Sequence, residues 1–191
     1  MIPIGYLYKI TASRPDWLPA SAVIDICSLS GCISAPFADY VGFWEHNGFW
    51  LFDSPAVMER IALREGIDLS RASLFYYEAH DEEFDETSGG WTRFGPEPSI
   101  ATRVEAPAGE RILGYDVVTF SAGTAPECSP LSCNGVAERQ SVNEHCLFTS
   151  FDEARQALES AVFANSEPGP FRIIAVYAID RPRSLVGSES I

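Results

Sequence analysis

The sequence predicts an α+β fold: a single domain with an antiparallel-rich mixed sheet of about six strands and two main helices packed on it. Of the 191 residues, 46% are hydrophobic, which is enough for one substantial core. Predicted strands outnumber predicted helices and do not alternate with them regularly, as they would in a doubly wound sheet. We expect one domain over residues 1–186 and a frayed tail over residues 187–191.

The first elements are predicted to be strands. Residues 6–10 form a short run of apolar and aromatic residues that ends before a proline-containing break. Asn47 and Gly48 lie between two aromatic runs and tolerate positive φ, which indicates a type I′ hairpin over residues 43–52. Both faces of this hairpin are largely apolar, so we expect it to be mostly covered.

The first helix has clear start and stop signals. Ser54 is suited to the N-cap, Pro55 to the first helical position, and Gly66 to a left-handed residue after the helix. These signals predict a helix over residues 55–65. The aromatic-rich residues 73–79 then predict a strand that leads directly into an acidic segment.

Two further strands are predicted near residues 100–105 and 112–120, separated by a short Pro- and Gly-containing segment. That spacing is typical of adjacent antiparallel strands. Residues 121–143 contain several prolines and glycines, so we expect an irregular segment there. The chain contains no internal repeat long enough to suggest a solenoid.

The second helix is predicted from a capping box. Ser150 and Glu153 have the required spacing, and Asn165 is suited to end the helix. After a Pro-Gly-Pro turn, residues 171–179 are apolar on both faces, which is typical of a central strand covered on each side.

The charge of the chain restricts its partners. There are 13 Lys and Arg against 27 Asp and Glu, giving a formal charge of −14, which disfavours nucleic acid and anionic membrane surfaces and favours a basic protein. No apolar run is long enough to span a membrane. The N-terminal residues do not form a signal peptide and the cysteine count is odd, so we expect reduced thiols and a cytoplasmic location. No sequence feature argues for or against a homo-oligomer.

The densest charge lies in residues 78–97, which hold seven carboxylates against one base, Arg93. Because such a run repels itself, it either forms a solvated loop, with Trp91 folded back on the sheet, or meets a cationic partner. Aromatic residues flanked by acids are typical of an anchor inside an electrostatic rim. The residues predicted to contact a basic partner are Asp81, Glu82, Glu83, Asp85, Glu86 and Trp91.

A cysteine-rich group is the basis of an alternative hypothesis, a cysteine- or zinc-dependent enzyme. Its members are Cys128, Cys133, His145 and Cys146, and the pair Cys27 and Cys32 could add two more ligands. The spacing does not match a structural zinc site, and adjacent residues cannot easily aim both side chains at one ion. No recognisable thiol-enzyme motif surrounds any cysteine. We therefore expect no metal, no cofactor and no enzymatic activity.

Residues 49–55, 113–118 and 143–148 resemble segments of small, acidic, uncharacterised bacterial proteins, some of which are encoded as immunity partners of secreted toxins. Such proteins share no catalytic motif. The resemblance therefore implies a non-enzymatic binding protein that neutralises or regulates a basic protein, as an immunity-type inhibitor of a toxin domain does.

Overall fold

The computed structural model describes residues 1–30, 35–36, 46–94, 103–120 and 126–180. It confirms the predicted α+β class, with a seven-stranded antiparallel sheet and two helices of more than two turns. The strands are β1 (Ile2–Ile10), β2 (Ala12–Ser13), β3 (Asp25–Ile26), β4 (Ala35–Pro36), β5 (Ser73–Ala79), β6 (Glu82–Asp85), β7 (Gly90–Arg93), β8 (Glu110–Thr119) and β9 (Phe171–Ile179). The helices are α1 (Pro55–Glu65), the short α2 (Pro130–Cys133), a 3₁₀ helix (Val136–Arg139) and α3 (Phe151–Glu159).

Strand β9 lies at the centre of the sheet. One of its sides pairs with β5, which pairs in turn with β1 and then β4, and its other side pairs with β8 along its whole length. The hairpin of β6 and β7 joins β9 through the pair Phe84–Phe171. The prediction of a central strand over residues 171–179 is confirmed. Separately, β2 and β3 form a two-stranded sheet.

The main sheet contains two equivalent units. The N-terminal unit is β1, a turn at residues 47–51, α1 and β5; the C-terminal unit is β8, a turn at residues 143–147, α3 and β9. Tyr77 pairs with both Gly5 and Val176, and Val176 pairs with both Tyr77 and Gly114. The register is therefore symmetric about the Tyr77–Val176 pair, and each unit has a bulge just before its glycine.

The side chain of Asn47 organises the turn of the N-terminal unit, here called the Asn47 turn. Its Oδ1 accepts hydrogen bonds from the backbone N–H of Phe49 at 2.9 Å and of Leu51 at 3.2 Å. Its Nδ2 donates to the carbonyl of Ile4 in β1 at 2.9 Å. Trp50 takes the left-handed conformation, with φ of 58°. The chain is thus anchored to the sheet before the helix begins.

Asn143 makes the same set of bonds in the C-terminal unit, and residues 143–147 are the Asn143 turn. Its Oδ1 accepts from the N–H of His145 at 2.9 Å and of Leu147 at 3.2 Å, and its Nδ2 donates to the carbonyl of Leu113 at 2.7 Å. Cys146 has φ of 60°. The sequence signal shared by the two turns is Asn, Leu, Phe and Ser at positions 1, 5, 6 and 8 of an eight-residue segment.

Each turn packs against a glycine of the neighbouring strand. A Cβ added to Gly5 would lie 2.7 Å from the Leu51 Cβ, and one added to Gly114 would lie 2.5 Å from the carbonyl oxygen of Phe148. Both glycines have positive φ, 141° and 151°. The next residue of each strand then exchanges two backbone hydrogen bonds with Phe52 or Phe148. Only glycine allows this close approach.

Both long helices cover the same face of the sheet. In α1, Glu59 accepts a hydrogen bond from the hydroxyl of Tyr8 at 2.8 Å. In α3, the ring of Phe151 lies 6.1 Å from that of Tyr115. Tyr6 and Tyr8 are two positions apart in β1, so their side chains lie on the same face of the sheet. The cross-strand pairs through β5 and β9 show that Tyr115 of β8 lies on this face as well.

The predicted starts of both helices are confirmed. Helix α1 begins at Pro55 and is followed by Gly66 with φ of 68°, and Ser150 forms a complete capping box with Glu153. Helix α3 ends at Glu159, earlier than the predicted end at Asn165, because the chain turns at residues 160–166. None of the described helices is long and apolar enough to cross a membrane.

Two strand predictions are wrong. Residues 46–52 contain the Asn47 turn and no hairpin, since the amide of Asn47 bonds to backbone groups of its own turn and to Ile4. Residues 103–105 are not a strand, and β8 pairs with β9 instead. Residues 43–45 and 100–102 and the tail at 187–191 lie outside the described residues.

Candidate functional site

The acidic segment is neither a loop nor a wholly solvated surface. Its residues 82–93 form the acidic hairpin, made of β6, a turn and β7. Phe84 pairs with Trp91 across the hairpin, with ring centroids 5.2 Å apart, and Phe84 is buried in the core. Because side chains of a strand alternate between its two faces, the neighbouring carboxylates of Glu82 and Glu83 point in opposite directions. The predicted contact residues are therefore divided between two faces.

Glu83 is used inside the protein. Its Oε2 accepts hydrogen bonds from Arg172 at 2.6 Å (Nη2) and 3.1 Å (Nε). The Arg172 guanidinium is buried and also lies 3.5 Å from the ring centroid of Phe94 and 4.2 Å from that of Phe120. Burying that cation without a carboxylate would be costly, so Glu83 stabilises the fold.

Asp85 and Glu86 lie at the turn of the hairpin. Asp85 accepts hydrogen bonds from the N–H of Thr87 at 2.9 Å and the hydroxyl of Ser88 at 3.0 Å, and the Thr87 N–H is the main cause that lowers the pKa of Asp85. Partial burial, with a smaller contribution from Asp85, raises the pKa of Glu86. The surroundings of the two carboxylates at the turn therefore shift their pKa values in opposite directions.

Trp91 folds back toward helix α3, whereas the loop alternative placed this side chain on the sheet. Its indole N–H donates to Glu159 at 2.9 Å, and the guanidinium carbon of Arg155 lies 5.0 Å from the ring centroid. Arg155 also donates to Glu159 at 2.8 Å. These contacts hold the ring against both the hairpin and the helix.

Asp81 is exposed and Glu82 is partly exposed, with 56% and 41% of their side chains accessible. Both approach His80: Asp81 Oδ1 lies 3.2 Å from Nδ1, and Glu82 Oε2 lies 3.5 Å from Nε2. The ring of His80 contacts that of Phe151 at 4.8 Å. Two accessible carboxylates are therefore held next to aromatic rings.

A surface cavity of about 280 Å³, here called the aromatic cavity, lies beside these carboxylates. It is lined by Met1, His80, Asp81, Tyr115 and Phe151. It combines apolar side chains and ring faces with a single accessible carboxylate, a combination that favours an amphipathic cation.

The four residues of the predicted cysteine-rich group are not brought together. Cys146 is buried, and burial raises the pKa of its thiol to about 12. The Sγ of Cys128 lies 3.2 Å from Asn134 and that of Cys133 lies 3.4 Å from Ser30. Within the described part of the chain, no group of three metal-binding side chains includes these three cysteines.

His145 instead contacts Asp25, in β3, and Cys27, the residue that follows β3. These three residues are here called the Asp–Cys–His cluster. Nδ1 of His145 lies 2.7 Å from Asp25 Oδ1 and 3.9 Å from Cys27 Sγ, and the thiol is 3.5 Å from the same Asp25 oxygen. Burial, together with the nearby Asp25 carboxylate, raises the pKa of the Cys27 thiol. Cys27 is thus a neutral thiol at neutral pH, which disfavours it as an unassisted nucleophile.

The cluster borders a second cavity, of about 350 Å³, which is also lined by Arg111, Phe75 and Leu113. Sequence reasoning did not find the cluster, because it named Cys27 only together with Cys32, as a possible addition to the cysteine-rich group, and gave Asp25 no role. An available signal was the spacing of Asp25 and Cys27, two positions apart in a short apolar run that the sequence allows as either strand or helix. In a strand, this spacing places both side chains on one face.

Comparison of the chain with protein-family models, with curated proteins and with solved structures found no match. What the chain does is therefore inferred from its own residues. Two places in the fold concentrate chemistry: the aromatic cavity beside Asp81 and Glu82, and the Asp–Cys–His cluster.

Proposed function

We propose that the chain is a non-enzymatic acidic binding protein that neutralises or regulates a basic protein partner. The observation that carries this proposal is the accessible carboxylate of Asp81 in a cavity lined by the rings of Tyr115 and Phe151. A Lys or Arg side chain of the partner occupies this cavity. Its aliphatic stem lies against the rings, and its charge meets the carboxylate.

The charge of the whole chain supports the same partner. A net charge of −14 accelerates encounter with a basic surface and opposes binding to acidic ones. Glu82 adds a second accessible carboxylate on the cavity side, and Trp91 is already held in place beside it. A preformed anchor of this kind loses little side-chain entropy on binding.

Of the six residues predicted to contact the partner, Asp81 and Glu82 are assigned to direct contact, with Trp91 beside them. Glu83 is assigned to the buried pair with Arg172, and Asp85 to the hairpin turn. We place Glu86 at the margin of the surface, since its carboxylate is partly buried.

The specific form that we propose is an immunity-type inhibitor of a secreted toxin domain, acting in the cytoplasm. The sequence resemblance supports this form, and so does the odd number of cysteines, which suits a reducing compartment. An acidic protein that covers a basic catalytic surface inhibits through the same electrostatic complementarity that guides binding.

The test uses a capped Gly-Arg-Gly peptide as the probe and NMR chemical shifts as the readout. We expect shifts confined to the residues that line the cavity, Met1, His80, Asp81, Tyr115 and Phe151, and none with the matched peptide that carries neutral citrulline in place of arginine. Asp81→Lys should weaken the peptide affinity by about tenfold or more, because it replaces the attracting charge by a repelling one.

Glu138→Lys is the matched control, since it makes the same charge change at an exposed glutamate of the 3₁₀ helix. It should reduce the affinity by less than about twofold at physiological ionic strength. The proposal is overturned if both variants weaken binding equally or if the citrulline peptide binds as well as the arginine peptide.

A further inference from the structure

We infer that the Asp–Cys–His cluster is a zinc site, with Asp25, Cys27 and His145 as its three protein ligands. This inference is independent of the proposed partner surface, which lies at the aromatic cavity. It departs from the expectation that the chain binds no metal. It also differs from the predicted cysteine-rich group, of which only His145 takes part.

Two of the three separations between donor atoms are close to those that a tetrahedral zinc ion requires, and the third is shorter. With ordinary bond lengths to O, N and S, the ligand atoms of such a site lie about 3.3 to 3.6 Å apart. The observed separations are 3.5 Å for Cys27 Sγ to Asp25 Oδ1 and 3.9 Å for Cys27 Sγ to His145 Nδ1. The third, 2.7 Å between Asp25 and His145, is a hydrogen bond whose proton zinc replaces.

The backbone holds the ligand-bearing segments together before any ion binds. The N–H groups of Ile24 and Asp25 both donate to the carbonyl of Glu144, at 2.8 and 3.1 Å, and the N–H of Cys27 donates to the carbonyl of His145 at 3.2 Å. The Asn143 turn fixes the His145 backbone through a further bond of 2.9 Å. Binding zinc therefore requires little reorganisation of the chain.

The second ring nitrogen of His145 faces a carboxylate. Its Nε2 lies 3.6 Å from Glu144 Oε1. A histidine that ligates zinc through one nitrogen usually donates its other N–H to a carboxylate or carbonyl, which fixes the ring and strengthens the ligand. Glu144 is placed to be that outer partner, so it is a positioning residue and not a ligand.

Among the residues that the structure describes, no fourth side chain completes the set, so one coordination position stays open there. The cluster borders the cavity of about 350 Å³, and Arg111 lines the same cavity. Three protein ligands with an open position are typical of sites that bind water or an exogenous group. The nearby guanidinium favours a small anion there, such as a carboxylate or phosphate.

The same donors also explain the choice of metal. A thiolate is a soft ligand, imidazole is borderline and a carboxylate is hard, and zinc accepts all three in one tetrahedral site. Calcium and magnesium prefer oxygen ligands alone. The Cys27 thiol releases its proton to solvent when its sulfur binds zinc, as cysteine ligands generally do.

The experiment titrates the full chain with Zn²⁺ after treatment with a chelator, in the presence of a reductant that does not bind metal. We expect about one zinc per chain, against a competing fluorescent chelator, and a rise in melting temperature. Co²⁺ in place of zinc should give the absorption of a tetrahedral cobalt–thiolate site. Cys27→Ser should remove the thiolate band, whereas Cys128→Ser, at a cysteine outside the cluster, should retain it.

Glu144→Gln tests the site without touching a ligand, because Glu144 is largely exposed and its loss does not endanger the fold. It should weaken zinc affinity by about tenfold or more, and the matched variant Glu138→Gln should leave it unchanged. The inference is overturned if the wild-type chain binds no stoichiometric zinc. A Cys27→Ser variant that binds zinc and Co²⁺ as the wild type does would overturn it as well.

Discussion

The Asn47 and Asn143 turns have the same backbone and support different chemistry. In both, the asparagine amide bonds to two N–H groups of its own turn and to the carbonyl before a strand glycine. The residue two positions after the asparagine differs. Phe49 is buried in the core, whereas His145 reaches Asp25 and Cys27 beside a cavity. The asparagine hydrogen bonds that form each turn therefore do not depend on which side chain follows two positions later.

The two units also differ within their first strands, two positions after the shared glycine. Leu7 of the N-terminal unit is an ordinary core residue, and its counterpart Asp116 is a fully buried carboxyl. Asp116 accepts hydrogen bonds from the N–H of Leu29 at 2.9 Å and the hydroxyl of Ser129 at 2.7 Å. At these two positions, the C-terminal unit carries a polar side chain where the N-terminal unit carries an apolar one.

The largest expected effect comes from the glycines that both units share. Gly114→Ala and Gly5→Ala should each lower the free energy of unfolding by about 3 to 5 kcal/mol, since the new methyl group meets backbone or Cβ atoms and φ is positive. Gly114→Ala should cost more, because its methyl group meets a backbone oxygen at 2.5 Å. Urea unfolding followed by tryptophan fluorescence measures both.

Gly109→Ala is the control for this pair, since Gly109 also has positive φ, of 81°, but no atom lies within 4 Å of an added Cβ. It should cost only about 1 kcal/mol, from backbone strain alone. If Gly114→Ala costs no more than this control, then the turn does not press against the strand as described.

An intermediate effect should separate Asp116 from its apolar counterpart. Burial raises the pKa of Asp116 from 3.8 to about 6, although its bonds to Ser129 and Leu29 and the nearby Lys9 oppose the rise and Cys133 adds to it. The folded state thus binds this proton more tightly than the unfolded chain does. The stabilisation is complete below the usual pKa and is lost as the pH rises through about 6.

Asp116→Asn removes this titration. The stability of the variant relative to the wild type should therefore increase by about 2 to 3 kcal/mol between about pH 4 and pH 7. Urea unfolding at a series of pH values measures the difference. Asp16→Asn, at an exposed carboxyl, should show no comparable rise. If the difference in stability between Asp116→Asn and the wild type does not change with pH, the assignment of a buried titrating group is contradicted.

The smallest effect should distinguish the two helix caps. Ser150 accepts a hydrogen bond from the N–H of Glu153 at 3.2 Å, whereas Ser54 makes no side-chain cap bond. Ser150→Ala should therefore cost about 1 kcal/mol and Ser54→Ala only a few tenths. Thermal unfolding of the two variants, compared with the wild type, measures this difference, and equal losses would show that the two caps are alike.

The parts of the fold that depend on local chemistry were predictable from the sequence. The capping box of Ser150 and Glu153 and the Pro55 and Gly66 signals of α1 are written in adjacent residues, and so is the apolar run of β9. Each of these elements was predicted with its correct start. Local signals failed where the bond partners lie far away in the chain.

Asn47 shows this failure clearly. Its neighbour Gly48 gives a strong hairpin signal, but the amide of Asn47 bonds to Ile4, 43 positions away. The structure of the acidic segment was not predicted for a related reason: the charge of Glu83 is neutralised by Arg172, 89 positions away. The local composition shows the repulsion among neighbouring carboxylates, but it does not show the distant arginine that offsets it. The Asp–Cys–His cluster joins residues 118 to 120 positions apart, beyond any local pattern.

The symmetric register about the Tyr77–Val176 pair has a consequence for what each half can carry. It is the arrangement that two separate copies of one unit would adopt as a homodimer, by pairing their last strands across a two-fold axis. In such a homodimer both turns would have the same sequence. Within one chain the two turns are free to differ, so one holds Phe49 and the other His145 at the same position.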